Sequence, residues 1–148
     1  MLLFFWSSCG KYAIAGTRGW FLEEGNDKKV IDREAGMNTV TSDTLLIIVD
    51  ANNRYIFEAP DLPHSVHNIA LIDHHRLVKE PDFAPFLNYI EPTKSSASEI
   101  IAEMLQQSKF ADSLLKAEAN LLLSGIMLDT NNFTRNAGAQ TFEITHYL

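Results

Sequence analysis

Two short, unbroken apolar runs, each ended by an aspartate, constrain the fold of this chain more than any other feature of its sequence. Residues 45–49 read L-L-I-I-V before Asp50, and residues 69–72 read I-A-L-I before Asp73. Such a run, bounded by polar residues, is typical of a strand buried on both faces of a parallel sheet. We therefore predict an α/β fold, with a parallel, Rossmann-like sheet and flanking helices.

Downstream of Asp73, the pattern predicts one more strand and three helices. Residues 87–90 are the third candidate strand, and Ser96 and Glu99 have the spacing of a capping box, which predicts a helix N-terminus. Residues 113–128 have a strong helical pattern that is apolar on more than one side, so we expect this helix to be central. Residues 141–147 resemble the first turns of a further helix.

The composition limits the classes of protein to which the chain can belong. Its 148 residues suit one domain with a core of its own. The net charge of −7 argues against a DNA binder or a membrane-surface binder, because both carry a basic face. The single cysteine, Cys9, excludes an internal disulfide, and no segment has transmembrane length. We therefore predict a cytoplasmic location, without membrane contact by this chain itself.

Side chains with metal-binding chemistry follow both apolar runs. Asp50 ends the first run, and Asp73, His74 and His75 end the second, where the crevice of a parallel sheet binds ligands. Carboxylate and imidazole ligands suit Mn²⁺ or Mg²⁺, and two such ions can activate water for a phosphoryl displacement. Asp129 directly follows the predicted helix 113–128, where its charge opposes the helix dipole, which indicates a function. From the residues alone, the alternative of capping aspartates and merely exposed histidines stays open.

Five segments of the sequence form an ordered set of motifs. They are V-D at 49–50, I-D-H-H-R at 72–76, Y-I-E-P at 89–92, S-S-A-S-E at 95–99 and G-I-M-L-D-T at 125–130. In their order and rough spacing, these segments resemble the motifs of the DHH phosphoesterases. Within that superfamily, residues 43–148 resemble the bacterial cyclic-di-AMP phosphodiesterases of the membrane-anchored type. The resemblance implies a cytoplasmic catalytic domain that binds two Mn²⁺ or Mg²⁺ ions and hydrolyses its cyclic dinucleotide substrate to pApA.

The resemblance also implies roles for individual residues. Asp50 would bridge the two ions, and His74 and Asp129 would be ligands of the second ion. His75 would contact the scissile phosphate and stabilise charge in the transition state, and Asp73 would orient the histidines. The nucleophile would be water activated by the ions, so no nucleophilic side chain is needed.

Two further residues are candidates for phosphate binding. Arg76 follows the two histidines, although a solvated arginine is an equally good interpretation. Ser96 lies at a predicted helix N-terminus, which is a favourable place for phosphate. For Ser96, capping alone is the interpretation that we favour.

The chain departs from the family pattern near its N-terminus. The family has an early histidine followed by D-x-D, which supplies the remaining ligands of the first ion and one of the second. Residues 1–42 contain no histidine and no D-x-D. We also find no counterpart of the family's C-terminal, glycine-rich substrate domain. We therefore divide the chain into a poorly readable segment, residues 1–42, and a partial, apparently incomplete DHH domain, residues 43–148, with weak or no activity alone.

Several alternatives remain open at this point. A partial sheet would expose an edge, so a homodimer is possible. Another DHH enzyme, such as an oligoribonuclease, a pApA phosphatase or a pyrophosphatase, is the first alternative function. A non-catalytic remnant of the fold is the second alternative. A dinucleotide-cofactor enzyme is a weak third, because no G-x-G-x-x-G follows the first run.

Overall fold

A computed structural model describes the chain at residues 2–6, 12–15, 29–30, 34, 37–38, 40–53, 57 and 59–148, the first three ranges by their backbone alone. The chain divides into two compact units, Met1–Ile90 and Glu91–Leu148. We call the first the sheet unit and the second the helical unit. Of the described residues, no helix is long and apolar enough to cross a membrane.

Among its described residues, the sheet unit contains six strands in the order β3-β2-β1-β4-β5-β6. Strands β4, β5 and β6 are parallel to one another, whereas β1 runs antiparallel to β4. The parallel strands match the predicted ones and confirm the α/β fold. The strands are β1 (Leu2–Trp6), β2 (Tyr12–Ala15), β3 (Lys29–Val30), β4 (Leu45–Val49), β5 (Asn68–Asp73) and β6 (Leu87–Ile90).

The core of the sheet unit forms around β4 and β5. In β5, every residue from Ile69 to Asp73 is buried, and because successive side chains point to opposite faces, both faces of this strand are covered. In β4, Leu46 and Ile48 are fully buried on one face. This burial of apolar surface is the main favourable term that holds the parallel strands together. Strand β6 is different, because it lies at the end of the strand order and is largely exposed.

The helical unit contains three α-helices and a short 3₁₀-helix, Ala111–Ser113. The α-helices are α1 (Ala97–Gln106), α2 (Lys116–Asp129) and α3 (Ala139–Tyr147). The predicted cap is confirmed, because the Glu99 amide donates to Ser96 Oγ at 3.0 Å at the start of α1. The Glu99 side chain is buried and accepts a hydrogen bond from Thr141 Oγ1 of α3 at 2.9 Å. Glu99 therefore ties the first turns of α1 and α3 together.

Helix α2 is less buried than its sequence predicts. Only Ala119 and Ile126 are buried, whereas Leu121 and Leu128 are 41% and 78% exposed. Ile126 belongs to the small core of the helical unit, with Ala102 of α1 and Ile144 of α3. The expectation of a central helix was therefore wrong. Its apolar residues are spread around the axis, and only one stripe of them meets the other two helices.

Helices α1 and α2 approach each other closely at one glycine. A Cβ atom on Gly125 would lie 2.1 Å from Ser98 Oγ and 3.0 Å from Ser98 Cβ. The approach therefore requires a residue without a side chain at this position of α2.

We expect Gly125→Ala to lower the free energy of unfolding by about 1 kcal/mol, because the overpacking exceeds the gain of about 1 kcal/mol in helix propensity. In a Ser98→Ala background, the hydroxyl is gone but the close contact of 3.0 Å with the Cβ atom remains, so the gain in propensity should offset it and the same substitution should cost close to nothing. Urea unfolding of the four chains measures both effects. An equal cost in the two backgrounds would show that Ser98 does not limit the approach.

Candidate metal centre

The ends of β4 and β5 bring the first candidate ligands together. The two strands are paired in parallel with Val49 opposite Ile72, so that Asp50 follows β4 at the level where Asp73 ends β5. The Asp50 amide extends the ladder by donating to the Ile72 carbonyl at 3.0 Å. The backbone pairing therefore fixes both aspartates at the same edge of the sheet.

Four side chains converge at this edge, and we call them the Asp–His cluster. Asp50, Asp73, His74 and His75 each offer one ligand atom, and these atoms all lie within 4.8 Å of one another. His74 Nε2 is 3.3 Å from Asp50 Oδ1, and His75 Nδ1 is 3.8 Å from the same oxygen. This geometry confirms the predicted convergence of the residues that follow the two apolar runs.

Asp73 anchors the turn that carries the histidines. Its side chain is fully buried, and Oδ1 accepts hydrogen bonds from the amides of His74 at 2.8 Å and His75 at 3.1 Å. The same oxygen lies 2.8 Å from His75 Nδ1. An ionised carboxylate only accepts, so Nδ1 of His75 carries the proton that it donates. His75 is thereby held by Nδ1, with its side chain 58% exposed.

Asp50 has a strained backbone conformation and a lowered side-chain pKa. Its φ of 65° lies in the left-handed region, which is unfavourable for residues other than glycine. Burial opposes ionisation of its carboxyl group, but His74, and more weakly the charge of His75, outweigh this effect and lower the pKa of Asp50. Asp50 is therefore held as a carboxylate beside two imidazoles. Strained residues of this kind cluster at ligand sites.

Two carboxylate oxygens of the cluster are buried and accept no hydrogen bond. They are Asp50 Oδ1 and Asp73 Oδ2. His74 lies near the first oxygen, at 3.3 Å, but without the alignment of a hydrogen bond. Buried carboxylate oxygens that accept no hydrogen bond cost free energy, and a cation relieves this cost. The oxygen and imidazole donors, together with these oxygens, fit a divalent ion such as Mn²⁺ or Mg²⁺.

Asn52 supports the site and was not singled out from the sequence. Its Nδ2 donates to the carbonyl of His75 at 3.2 Å, which links the loop after β4 to the turn after β5. The sequence offers only a weak signal for this role, the asparagine pair that follows Asp50 by two positions.

The other three predicted site residues are described within their own units. Arg76 is exposed on the turn after His75. Ser96 is fully buried in the helical unit, where its hydroxyl caps α1. This is the capping role that we favour from the sequence. Asp129 is the last residue of α2, also in the helical unit. Phosphate binding by Arg76 and Ser96 and metal binding by Asp129 stay predictions.

The backbone next to Asp129 is unusual. Asn131, Asn132 and Phe133 have φ angles of 49°, 56° and 62°, a run of three left-handed residues without a glycine. The buried Thr130 holds this turn, because its Oγ1 accepts a hydrogen bond from the Phe133 amide at 2.9 Å. Backbone strain of this kind persists only where the surroundings enforce it, and it accumulates at functional sites. It therefore supports the interpretation of Asp129 as a functional residue.

The left-handed backbone of Asp50 predicts an unusual order of stability. We expect Asp50→Gly to exceed Asp50→Ala by about 1 kcal/mol in free energy of unfolding, because only glycine adopts this conformation without a steric cost. Both variants lose the carboxylate, so its interactions cancel in the comparison. Urea unfolding in EDTA provides the measurement. The same pair at the exposed Asp43 should show no such advantage for glycine, and equal stability at position 50 would contradict the prediction.

Comparison with known proteins places this geometry in a family. The sequence model described as "DHH family, N-terminal domain" matches residues 6–126. The cyclic-di-AMP phosphodiesterase PdeA of Listeria monocytogenes is 36% identical over 121 residues, which is 82% of this chain and 18% of that protein. The cyclic-di-AMP phosphodiesterase GdpP of Geobacillus thermodenitrificans is 38% identical over 120 residues, 81% of this chain and 18% of that protein.

A solved structure is also similar to the chain. The crystal structure of an exopolyphosphatase-related protein from Bacteroides fragilis matches with a TM-score of 0.61 and 26% identity, over 68% of this chain and 30% of that one. The matched part of the chain spans only 18% of the length of each of the two phosphodiesterases named above. Because the family model covers most of its residues, this chain belongs to the DHH family.

Proposed function

We propose that this chain is the catalytic part of a metal-dependent phosphodiesterase that hydrolyses cyclic-di-AMP to pApA. The observation that carries the proposal is the Asp–His cluster, in which four ligand atoms lie within 4.8 Å of one another. The two phosphodiesterases named above support the choice of substrate, because each matches about four-fifths of this chain.

In this proposal, the residues of the Asp–His cluster have different roles. Asp50 and His74 would hold the metal, which in the complete family site is a pair of Mn²⁺ or Mg²⁺ ions. Such ions, when bound, polarise a phosphoryl oxygen and make water a better nucleophile. Asp50 is suited to this role because its lowered pKa keeps it ionised.

His75 would bind the substrate. Its Nδ1 donates to Asp73, so Nε2 is the ring nitrogen left for the substrate, and it would donate to a phosphoryl oxygen in the doubly protonated, cationic form of the imidazole. A donor that is already oriented stabilises the charge that develops in the transition state. In the reaction, water adds to phosphorus and one ester bond breaks, so that the cyclic dinucleotide opens to the linear pApA.

A second candidate function is hydrolysis of another phosphorylated substrate. The likeness to the exopolyphosphatase-related protein favours this alternative, because that structure shares the fold at a TM-score of 0.61. Pyrophosphate, pApA and short oligoribonucleotides are then the substrates to compare with cyclic-di-AMP. A remnant without catalytic activity is the remaining alternative.

We expect the purified chain to hydrolyse cyclic-di-AMP weakly or not at all with Mn²⁺. The reason is that residues 1–42 lack the histidine and D-x-D that supply further ligands in the family. Chromatographic detection of pApA measures the activity, and Asp50→Ala gives the background. Robust turnover that Asp50→Ala abolishes would show that the expected weakness is wrong.

A chimera separates the function from the completeness of the site. Residues 43–148 would replace the matching segment of the Listeria phosphodiesterase, and we expect the product to hydrolyse cyclic-di-AMP in preference to pyrophosphate and pApA. In the chimera, His75→Ala should lower kcat by about 100-fold or more, as loss of a charge-stabilising donor does. Asp43→Asn is the matched exposed control. A folded chimera that acts on none of these substrates would favour the remnant.

A further inference from the structure

We infer that strand β6 is a dimerisation edge, which pairs antiparallel with β6 of a second copy of this chain about a two-fold axis at Asn88. The inference goes beyond the proposed function, because it concerns an interaction surface of the sheet unit and no step of hydrolysis. It gives a place and a register to the homodimer that an exposed sheet edge makes possible.

The outer edge of β6 offers backbone groups to a further strand. Among the residues that the structure describes, β6 is the end strand of the sheet and pairs with β5 alone. The Phe86 amide donates to the Ile69 carbonyl of β5 at 2.9 Å, and the direction of the backbone groups alternates along a strand. The amides and carbonyls of Leu87 and Tyr89 therefore point away from β5, toward the edge.

The side chains at this edge are exposed and uncharged. Phe86 is 69% exposed, Leu87 is 39% exposed and Tyr89 is 36% exposed. Residues 86–90 read F-L-N-Y-I, without a charged residue. Soluble proteins commonly protect a sheet edge with lysine or proline. Here two prolines, at positions 85 and 92, flank the strand, and neither lysine nor proline lies within it.

One antiparallel register makes this edge complementary to itself. With Asn88 at the two-fold axis, Leu87 lies opposite Tyr89 of the second copy. The outward backbone groups of these two residues then form hydrogen-bonded pairs, about four bonds in total. On the other face of the sheet, Phe86 lies opposite Ile90 of the second copy. Cross-strand pairs of aromatic and aliphatic side chains stabilise a sheet, so each apolar residue of the strand gains a partner.

The neighbouring registers are less favourable. A shift by two residues in one direction sets Tyr89 opposite Pro85, which has no amide hydrogen to donate. The same shift in the other direction sets the Glu91 carboxylate opposite the apolar side chain of Leu87. In the proposed register, Glu91 lies opposite Pro85. No two like charges then meet along the paired strands, although each copy carries a net charge of −7.

This pattern favours a second copy over a partner of another kind. A basic or an acidic segment would find no opposite charge on residues 86–90. A second copy instead matches every apolar side chain of the strand with an apolar one, and its pairing ends at the same prolines. Because the paired segment is short, the interface is smaller than that of a stable dimer, so we expect dimerisation to be weak and concentration-dependent.

The oligomeric state of the purified chain tests the contact. By sedimentation equilibrium in EDTA, we expect monomers at about 1 µM and dimers at about 200 µM, as for the weak end of specific interfaces. Salt should strengthen the dimer, because it screens the repulsion between two chains of charge −7 and the paired strands contain no ion pair. A monomer at about 200 µM would overturn the inference, and so would open-ended aggregates, since a two-fold contact closes at two copies.

A charge-exchange cycle tests the register. Leu87→Lys and Tyr89→Glu each set a charge opposite an apolar side chain and should weaken dimerisation by about tenfold or more. In the double variant, each introduced lysine lies opposite an introduced glutamate of the second copy, so the affinity should return to within about threefold of the wild type. Leu128→Lys, on the 78% exposed Leu128 of α2, is the charge-matched control and should leave dimerisation unchanged. Losses that add in the double variant would overturn the proposed pairing.

Cross-linking provides a second readout of the two-fold axis. In a Cys9→Ser background, Asn88→Cys sets two cysteines opposite each other, close enough for a disulfide. Mild oxidation should then give a covalent dimer, whereas Asp43→Cys, at an exposed position of the same unit, should give none above background. Equal cross-linking of the two variants would contradict the inference. Circular dichroism at about 1 µM, where the interface is open, checks that each variant folds. No nucleotide is present, so the outcome is independent of whether the protein hydrolyses cyclic-di-AMP.

Discussion

The parallel pairing of β4 with β5 is the constraint on which the candidate site depends. Val49 lies opposite Ile72, and the Asp50 amide continues the ladder to the Ile72 carbonyl. A slip of one residue would turn the side chains of β5 to the opposite face and carry Asp73 away from Asp50. The apolar residues of both strands resist such a slip, because they are packed in a core in which Leu46, Ile48 and Leu71 are completely buried.

The candidate site lowers the local stability of the sheet unit. Asp50 has a left-handed backbone, and one oxygen on each aspartate is buried without a hydrogen bond. Elsewhere in the sheet unit, β4 and β5 follow the ordinary rules of apolar burial and parallel pairing. Local rules are therefore broken together at one point, which is the pattern expected of a functional site. The capping interpretation of Asp73 is still correct in part, since Oδ1 does cap the two histidine amides.

The sequence was most informative where backbone geometry alone decides the outcome. Buried parallel strands are recognisable from continuous apolar runs, and residues that follow them necessarily meet at one edge of the sheet. The bond from His75 to Asp73 depends on side-chain torsions, and the contact of Asn52 depends on the path of a loop, so neither has a signature in a single sequence. The exposure of α2 was misjudged for a related reason. Its apolar residues indicate burial, but the number of neighbours available to cover them is a tertiary property.

The two adjacent histidines show how one carboxylate can give similar residues different tasks. His74 is 15% exposed and lies against Asp50, whereas His75 is 58% exposed and is bonded to Asp73. The two rings lie 4.3 Å apart, and His75 Nδ1 is 3.8 Å from Asp50 Oδ1, so without the bond to Asp73 both imidazoles would be available to the proposed ion. Asp73 makes the two imidazoles different, because its Oδ1 accepts a hydrogen bond from Nδ1 of His75. Under the proposed function, the less exposed His74 would then bind the metal, and the more exposed His75 would be left for a phosphate oxygen of the substrate.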